Sequence, residues 1–266
     1  MIIDVHVHYQ KKEGFLEELM KSCSENGVEK VCLNGGGDIW DQYDNEAVLK
    51  ASRKFPDFII PFAFVDMAKA SAKDIADYAK AGFKGLKSQN PPEPYDSKAF
   101  WGLYEEAEKN GFIWLFHTGI TARYPGEKDP NISCPKRPDV SSDRMRPIRL
   151  DAIARDFRGL TIIGAHFGIP WFSEAAFMLL SNPNLYFDLS GLDLTDTVYP
   201  TLLPFGELFW AGQKHWLHLV FGTEGGPENY KGRIKEHYSL FQRYNLPAMV
   251  QEQIMGGNIA VALRLA

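Results

Sequence analysis

Short apolar runs alternate with amphipathic stretches along the whole chain. Eight of the runs read as strands: IIDVHVH, VEKVCLNG, FIIPFAFVD, FKGLKS, FIWLFHTG, LTIIGAHFG, LYFDLSG and LVFGTEGG. They are short and apolar throughout, as strands covered on both faces of a parallel sheet are. Pro61 falls near the start of the third, where a strand tolerates it. The stretches between them read as helices. FLEELMKSCSENG puts Phe15, Leu19 and Cys23 on one stripe, with Gly27 just past its end. Asn45 to Phe55 is a second helix, and SAKDIADYAKAG has a serine cap and a terminal glycine. AFWGLYEEAEKNG, Ile148 to Phe157 and Trp171 to Leu180 follow, and GNIAVALRLA closes the chain as a last helix. Eight strands, each followed by a helical stretch, predict an α/β fold: a single (β/α)₈ TIM barrel spanning residues 1–266. An open doubly wound sheet would carry a glycine-rich phosphate loop after its first strand, and here that strand ends in HVH.

One connection breaks the rhythm. From about Ile120 to Pro147, after the fifth strand, the chain is rich in Pro, Arg, Asp and Ser and has no helical period. So long a loop is expected to be functional, hanging over the C-terminal mouth of the barrel.

Composition narrows the class of partner. Hydrophobic residues are 45% and charged residues 24% of the chain, ordinary for a soluble domain with a sizeable core. A net charge of −5 argues against a nucleic-acid or anionic-membrane partner and leaves a small-molecule substrate. The three cysteines, Cys23, Cys32 and Cys134, match no zinc-ribbon or redox spacing, so they are expected to be reduced thiols. The N-terminal stretch has no basic region followed by an apolar segment and cleavage site, and no apolar run is long enough to span a bilayer. The cytoplasm is the expected location. Homo-oligomers are common among barrel enzymes, but no stretch identifies an interface.

The strand ends carry the chemistry. His6 and His8 end the first strand, Asn34 follows the second, Lys87 ends the fourth, and His117 and His166 end the fifth and sixth. Asp188 and Ser190 lie at the seventh and Glu224 at the eighth. In a parallel barrel all these ends open at one mouth. Two residues apart in a strand, His6 and His8 point to one face, which on a barrel strand can be the lumen. Two imidazoles there, with His117 and Glu224 from other strands, give three nitrogens and one carboxylate. That donor set suits one zinc ion with an open water position. A lone histidine on an apolar strand is more often a satisfied core residue. Two on one face, with two more histidines and an acid at other strand ends, point to a metal site.

The series HVH, FHTG, GAHFG and FGTEGG resembles the amidohydrolase superfamily. Within it the chain is most similar to the amidohydrolase-related branch that also holds zinc-dependent decarboxylases. RPIRLDAIARDFRGLTIIGAH and the ending GGNIAVALRL are typical of that branch, and the likeness runs through the whole chain. The resemblance implies that His6, His8 and His117 are metal ligands and that His166 faces the water on the metal. The eighth-strand position, normally an aspartate that is both ligand and proton acceptor, is Glu224 here. Glutamate is one methylene longer and can still reach the metal, so the departure bears on the reaction type more than on the metal. In binuclear relatives a fourth-strand lysine is carboxylated and bridges two ions, so the resemblance implies a second metal if Lys87 is so modified. Otherwise Lys87 forms a salt bridge or binds a substrate carboxylate.

The expected function is a metal-dependent hydrolase acting through a metal-activated water on a small carboxylated ester, lactone or amide. Glu224 and His166 are its proton carriers. The alternative on the same scaffold is a lyase, either a non-oxidative decarboxylase or a hydratase. Among Arg123, Lys136, Arg137, Arg144 and Arg146, in or beside the long loop, Arg146 is chosen as the carboxylate fork. Trp171 is a candidate pocket wall. His215, His218 and His237 are expected to be structural or exposed.

Overall fold

A computed structural model describes residues 1–37, 42–121, 140–192, 194 and 213–265. Eight parallel strands lie in sequence order: β1 (Ile2–His8), β2 (Val28–Asn34), β3 (Ile59–Phe64), β4 (Gly85–Ser88), β5 (Ile113–Phe116), β6 (Thr161–Gly164), β7 (Leu185–Asp188) and β8 (Leu219–Val220). The sheet curls back on itself. Val5 N–H donates to the Phe221 carbonyl at 3.0 Å and Glu224 N–H to the His6 carbonyl at 2.8 Å, so the chain just past β8 meets β1. With its surrounding helices this is a nearly closed (β/α)₈ barrel.

The helices form where the apolar stripes predict them. They are α1 (Phe15–Glu25), α2 (Asn45–Lys54), α3 (Ala72–Ala81), α4 (Trp101–Lys109), α5 (Asp151–Asp156) and α6 (Phe172–Ser181), followed by a short α7 (Gln213–Trp216) and α8 (Tyr230–Arg243). Ser71 and Asp74 make a reciprocal capping box on α3, and Gly82 ends it in the left-handed conformation. Two boundaries differ from the sequence reading. The helix expected from Ile148 opens as a 3₁₀ turn, Pro147–Leu150, with proline at its first position, where the missing N–H would find no helical partner and the fixed φ suits a helix start. The final helix, Asn258–Ala262, is entered through a π turn, Gln253–Gly257. Among the described residues no helix is long and apolar enough to cross a membrane.

Each strand divides its side chains between two cores. Val31, Leu33, Leu86, Trp114, Phe116, Ile162 and Phe187 pack outward against the helices. Cys32, Ile60, Phe62, Ile113, Leu115, Ile163 and Val220 fill the lumen. Phe62 lies over its register partner Gly85, where an added Cβ would stand 2.4 Å from the ring. Glycine there is what lets an aromatic ring fill that layer. Towards the C-terminal ends the lumen changes character: Ile113 and Leu115 give way to His117, Ile163 and Ala165 to His166, and Gly85 to Lys87. An aliphatic plug therefore supports a polar layer. Arg123, Lys136, Arg137 and Cys134, with most of the long loop, lie outside the described residues.

Candidate metal centre

The first strand needs a local device to aim both histidines inward. Ile3 and Val5 belong to the lumen cluster, and the Asp4 carboxylate pairs with Thr223, on the side where Tyr230 packs in the outer core. Strict alternation would then send His6 and His8 outward as well. The register with β2 slips instead between Asp4 and Val7: Asp4 pairs with Val31 and Val7 with Leu33, three steps against two. This β-bulge resets the parity. Val7 joins the outer core, and the His6 ring meets Lys87 and Asp188 in the lumen.

Hydrogen bonds select the tautomers. His6 Nδ1–H donates to Asp188 Oδ2 at 2.9 Å, and His8 Nδ1–H donates to Gln42 Oε1 at 3.2 Å. Both Nε2 atoms are thereby left as lone pairs, and they face each other at 3.1 Å. Two lone pairs that close repel unless a cation lies against them. Lys87 Nζ, fully buried, donates to His6 Nε2 at 3.0 Å. His117 is 5% exposed, yet neither of its ring nitrogens has a hydrogen-bond partner among the described residues. Unpartnered buried nitrogens are costly, and a metal ion satisfies them. Among the described residues the donors form three sets whose atoms lie within 4.8 Å of one another: His6, His8 and Glu224; His117, His166 and Glu224; and His6, His166 and Asp188. Glu224 joins the first two, which hold the predicted ligands. The four predicted ligands thus ring one space without forming a single closed group. Their chemistry fits a divalent ion that would be held by His6, His8, His117 and Glu224.

His166 and Glu224 lie past the strand ends, not in them, and both have left-handed backbones, φ 60° and 54°. Phe167 is left-handed too, φ 46°. Such angles cost of order 1–3 kcal/mol each in bulky residues and persist where the surroundings over-determine them. They turn the two side chains towards each other, with His166 Nε2 3.2 Å from Glu224 Oε1. His166 Nδ1–H donates to the Ser190 carbonyl at 3.0 Å, which leaves Nε2 free to take a proton. Gly191, at φ 70°, makes room for the pair, since a Cβ there would lie 3.2 Å from Glu224 Oε2 and 3.3 Å from His166 Nδ1.

Asp188 is the residue that strand-end reading noticed but gave no role. Besides His6, it accepts through Oδ1 from the backbone N–H of His166 at 2.8 Å, from Ser190 N–H at 3.0 Å and from the Ser190 hydroxyl at 2.6 Å. One fully buried carboxylate thus orients two of the site's histidines. A lone Asp at a strand end two residues before a Ser was the available signal.

Electrostatics follow from burial in this layer. Desolvation, with Lys87 nearby, pushes His6 down to about 4. Burial likewise holds His8 and His117 well below the usual histidine range, so both are neutral donors. Burial lowers Lys87 to about 8 against the pull of Glu224 and Asp188. Burial alone would lower His166 and raise Glu224, but their mutual attraction overcomes it. His166 is raised and Glu224 is held well below the carboxylate range.

Arg146 and Trp171 sit together. The guanidinium is bound closely to Glu174 of α6 and lies 5.3 Å from the Trp171 ring centre. Asn34, at the end of β2, donates to the Val7 carbonyl at 2.9 Å and fastens the bulged strand. His215 and His237 are fully buried and His218 half-buried, and none of them is a member of a donor set.

A family model described as amidohydrolase matches residues 39–265, a span that begins after His6 and His8. No curated protein matches the chain. Among solved structures, an uncharacterised TIM-barrel protein from Bordetella bronchiseptica is 19% identical with a TM-score of 0.74, over 99% of this chain and 98% of that one. A 2,6-dihydroxybenzoate decarboxylase from Rhizobium is 16% identical, TM-score 0.68, over 99% and 98%. A protein described as a probable 2-pyrone-4,6-dicarboxylic acid hydrolase from Acinetobacter baumannii, with citric acid bound, is 13% identical, TM-score 0.66, over 99% of each chain. At these identities the likeness is one of fold.

Proposed function

The chain belongs to the amidohydrolase family, and from that premise we propose that it is a metal-dependent hydrolase of a small carboxylated ester, lactone or amide, with one zinc ion as its cofactor. The observation that carries this reading is the convergence of lone-pair nitrogens from His6, His8 and His117 on the Glu224 carboxylate, beside His166. A zinc ion held by these residues supplies Lewis acidity, bringing the pKa of a water to about 7 and polarising a carbonyl oxygen.

The chain's own residues carry the protons. Glu224 is ionised and takes the proton of the attacking water as the new C–O bond forms. The His166–Glu224 contact holds that proton inside the site. It returns to the leaving oxygen or nitrogen as the scissile bond breaks, so the pair ends as it began. Ser190 and Asp188 keep His166 in the tautomer this requires. Lys87, a buried cation facing the same space, is the proposed partner of the substrate's carboxylate, with Arg146 at the rim and Trp171 as a wall.

The decarboxylase or hydratase reading uses the same groups: His166 or Glu224 would protonate a carbanion as CO₂ leaves. The solved neighbours support both, since one is a decarboxylase and another is described as a hydrolase. The test is metal analysis of the purified protein, then a screen of lactones and esters beside carboxylated aromatics for acid and CO₂ release. Zinc near one equivalent with acid release is expected. Decarboxylation without any hydrolysis would replace the hydrolase reading with the lyase.

A further inference from the structure

The barrel closes between β1 and the segment after β8, and a carboxylate sits in that seam. Asp4 is fully buried and lies on the helix side of β1, not in the lumen. Its Oδ1 accepts from His6 N–H at 2.9 Å and from Thr223 N–H at 3.1 Å, and its Oδ2 accepts from the Thr223 hydroxyl at 2.6 Å. His6 and Thr223 are 217 residues apart in sequence, and Thr223 immediately precedes Glu224. Glu224 N–H in turn donates to the His6 carbonyl at 2.8 Å. The Asp4 side chain thus joins the backbone at His6 to Thr223, beside the direct backbone bond between His6 and Glu224.

The same carboxylate stands where the register slips. His6 N–H, left without its regular ladder partner by the bulge, is satisfied by Asp4. Because β8 is only two residues long, backbone pairing beyond the single Glu224–His6 bond does little to fix Glu224. A carboxylate holding three donors is a stiffer join than sheet pairing of that length.

We propose that Asp4, with Thr223, is a positioning residue that sets the separation of His6 from Glu224 across the barrel seam, and through it the affinity of the metal centre. This rests on the metal-site reading above, but Asp4 itself touches neither metal nor substrate.

The experiment uses the full chain stripped of metal and titrated with cobalt(II), whose visible absorption reports ligand geometry. Thr223→Val removes the hydroxyl's bond to Asp4, together with the longer one it accepts from Gly225 N–H at 3.3 Å, and keeps the shape. Thr223→Ser restores the hydroxyl, and Asp4→Ala removes all three bonds. Cobalt affinity is expected to fall about 10–100-fold in Asp4→Ala. A smaller fall with an altered spectrum is expected in Thr223→Val, and near-parent values in Thr223→Ser. Parent-like affinity and spectrum in folded Thr223→Val would overturn the proposal, whether or not Asp4→Ala folds. If the parent itself binds no cobalt, the metal reading fails. Amide hydrogen exchange in the metal-free chains then decides the seam. Faster exchange at Thr223 and Glu224 in Thr223→Val, with the other strands unchanged, supports the join, and equal exchange overturns it.

Discussion

His6 and Asp188 face each other across the lumen at 2.9 Å, an imidazole N–H from the first strand on a carboxylate oxygen from the seventh. The contact fixes which nitrogen of His6 is offered to a metal, and it holds Asp188 ionised. In Asp188→Asn only one oxygen remains. If that oxygen keeps His166 and Ser190, the amide nitrogen meets the His6 N–H and orients nothing. Zinc dissociation, measured by competition with a chromogenic chelator, is expected to be about 10–100-fold tighter in the parent. Equal constants would show that Asp188 has no influence on the centre.

Glu224 and His166 are predicted to act as one proton-carrying unit. Glu224→Gln removes the acceptor, and His166→Asn removes its partner. Asparagine is the apt replacement at 166 because it tolerates the positive φ found there. Each change is expected to lower kcat about 10²–10⁴-fold, the range of a general acid–base group. The double variant is expected to be no worse than the poorer single. Multiplying losses would mean that the two groups act independently.

The fold was legible because each strand is apolar on both parities and each helix carries one stripe. The candidate ligands were legible because parallel topology sends every strand end to the same mouth. The bulge between Asp4 and Val7 was not. Alternation alone does put His6 and His8 on one face, but with Ile3 and Val5 in the lumen it puts them on the wrong one. No residue type in IIDVHVH announces the slip, which depends on how β1 pairs with β2 and closes on the segment after β8. The roles of Asp4 and Asp188 were hidden for a related reason. Their partners lie at Thr223 for one and at His6 and His166 for the other, contacts that only the closed barrel creates.

His237 predicts an acid-sensitive step in stability. It is buried on α8 between Phe221 and Phe241, with Nδ1–H donating to the Arg233 carbonyl at 2.8 Å and Nε2 unpartnered among the described residues. The charged groups bearing on it are Arg233, on its own helix, and Asp188 from β7. Burial lowers its pKa from 6.5 to about 4. The unfolded chain therefore binds the proton first as pH falls. Stability fully present above pH 6.5 is lost on the way down to about 4, on the order of 3 kcal/mol. Urea unfolding at a series of pH values should show a shallower acid loss in His237→Leu than in the parent. The other buried histidines contribute equally to both chains, so the difference isolates this ring. Parallel curves would mean that His237 titrates normally in the fold.

Arg146 poses a choice that magnitudes can decide. Its guanidinium is bound to Glu174, with Asp143 at 3.5 Å and the Trp171 ring beneath it, and it remains about one-third exposed at 35%. At that exposure the ion pair is worth about 0–1 kcal/mol to stability. A carboxylate bound by the same guanidinium would gain about 1.5–3 kcal/mol, or about 10–100-fold in affinity. If Arg146 only fastens α6, Arg146→Met and Glu174→Gln both lower the melting temperature slightly and leave KM alone. If it receives substrate, the two variants move in opposite directions. Arg146→Met raises KM by about 10-fold or more. Glu174→Gln keeps an oxygen for the Ile148 N–H but removes the competing charge, so KM falls. Opposite shifts in KM, at nearly equal melting temperatures, are the expected outcome for a carboxylated substrate. Matched values would return Arg146 to the scaffold and leave Lys87 as the cation that meets it.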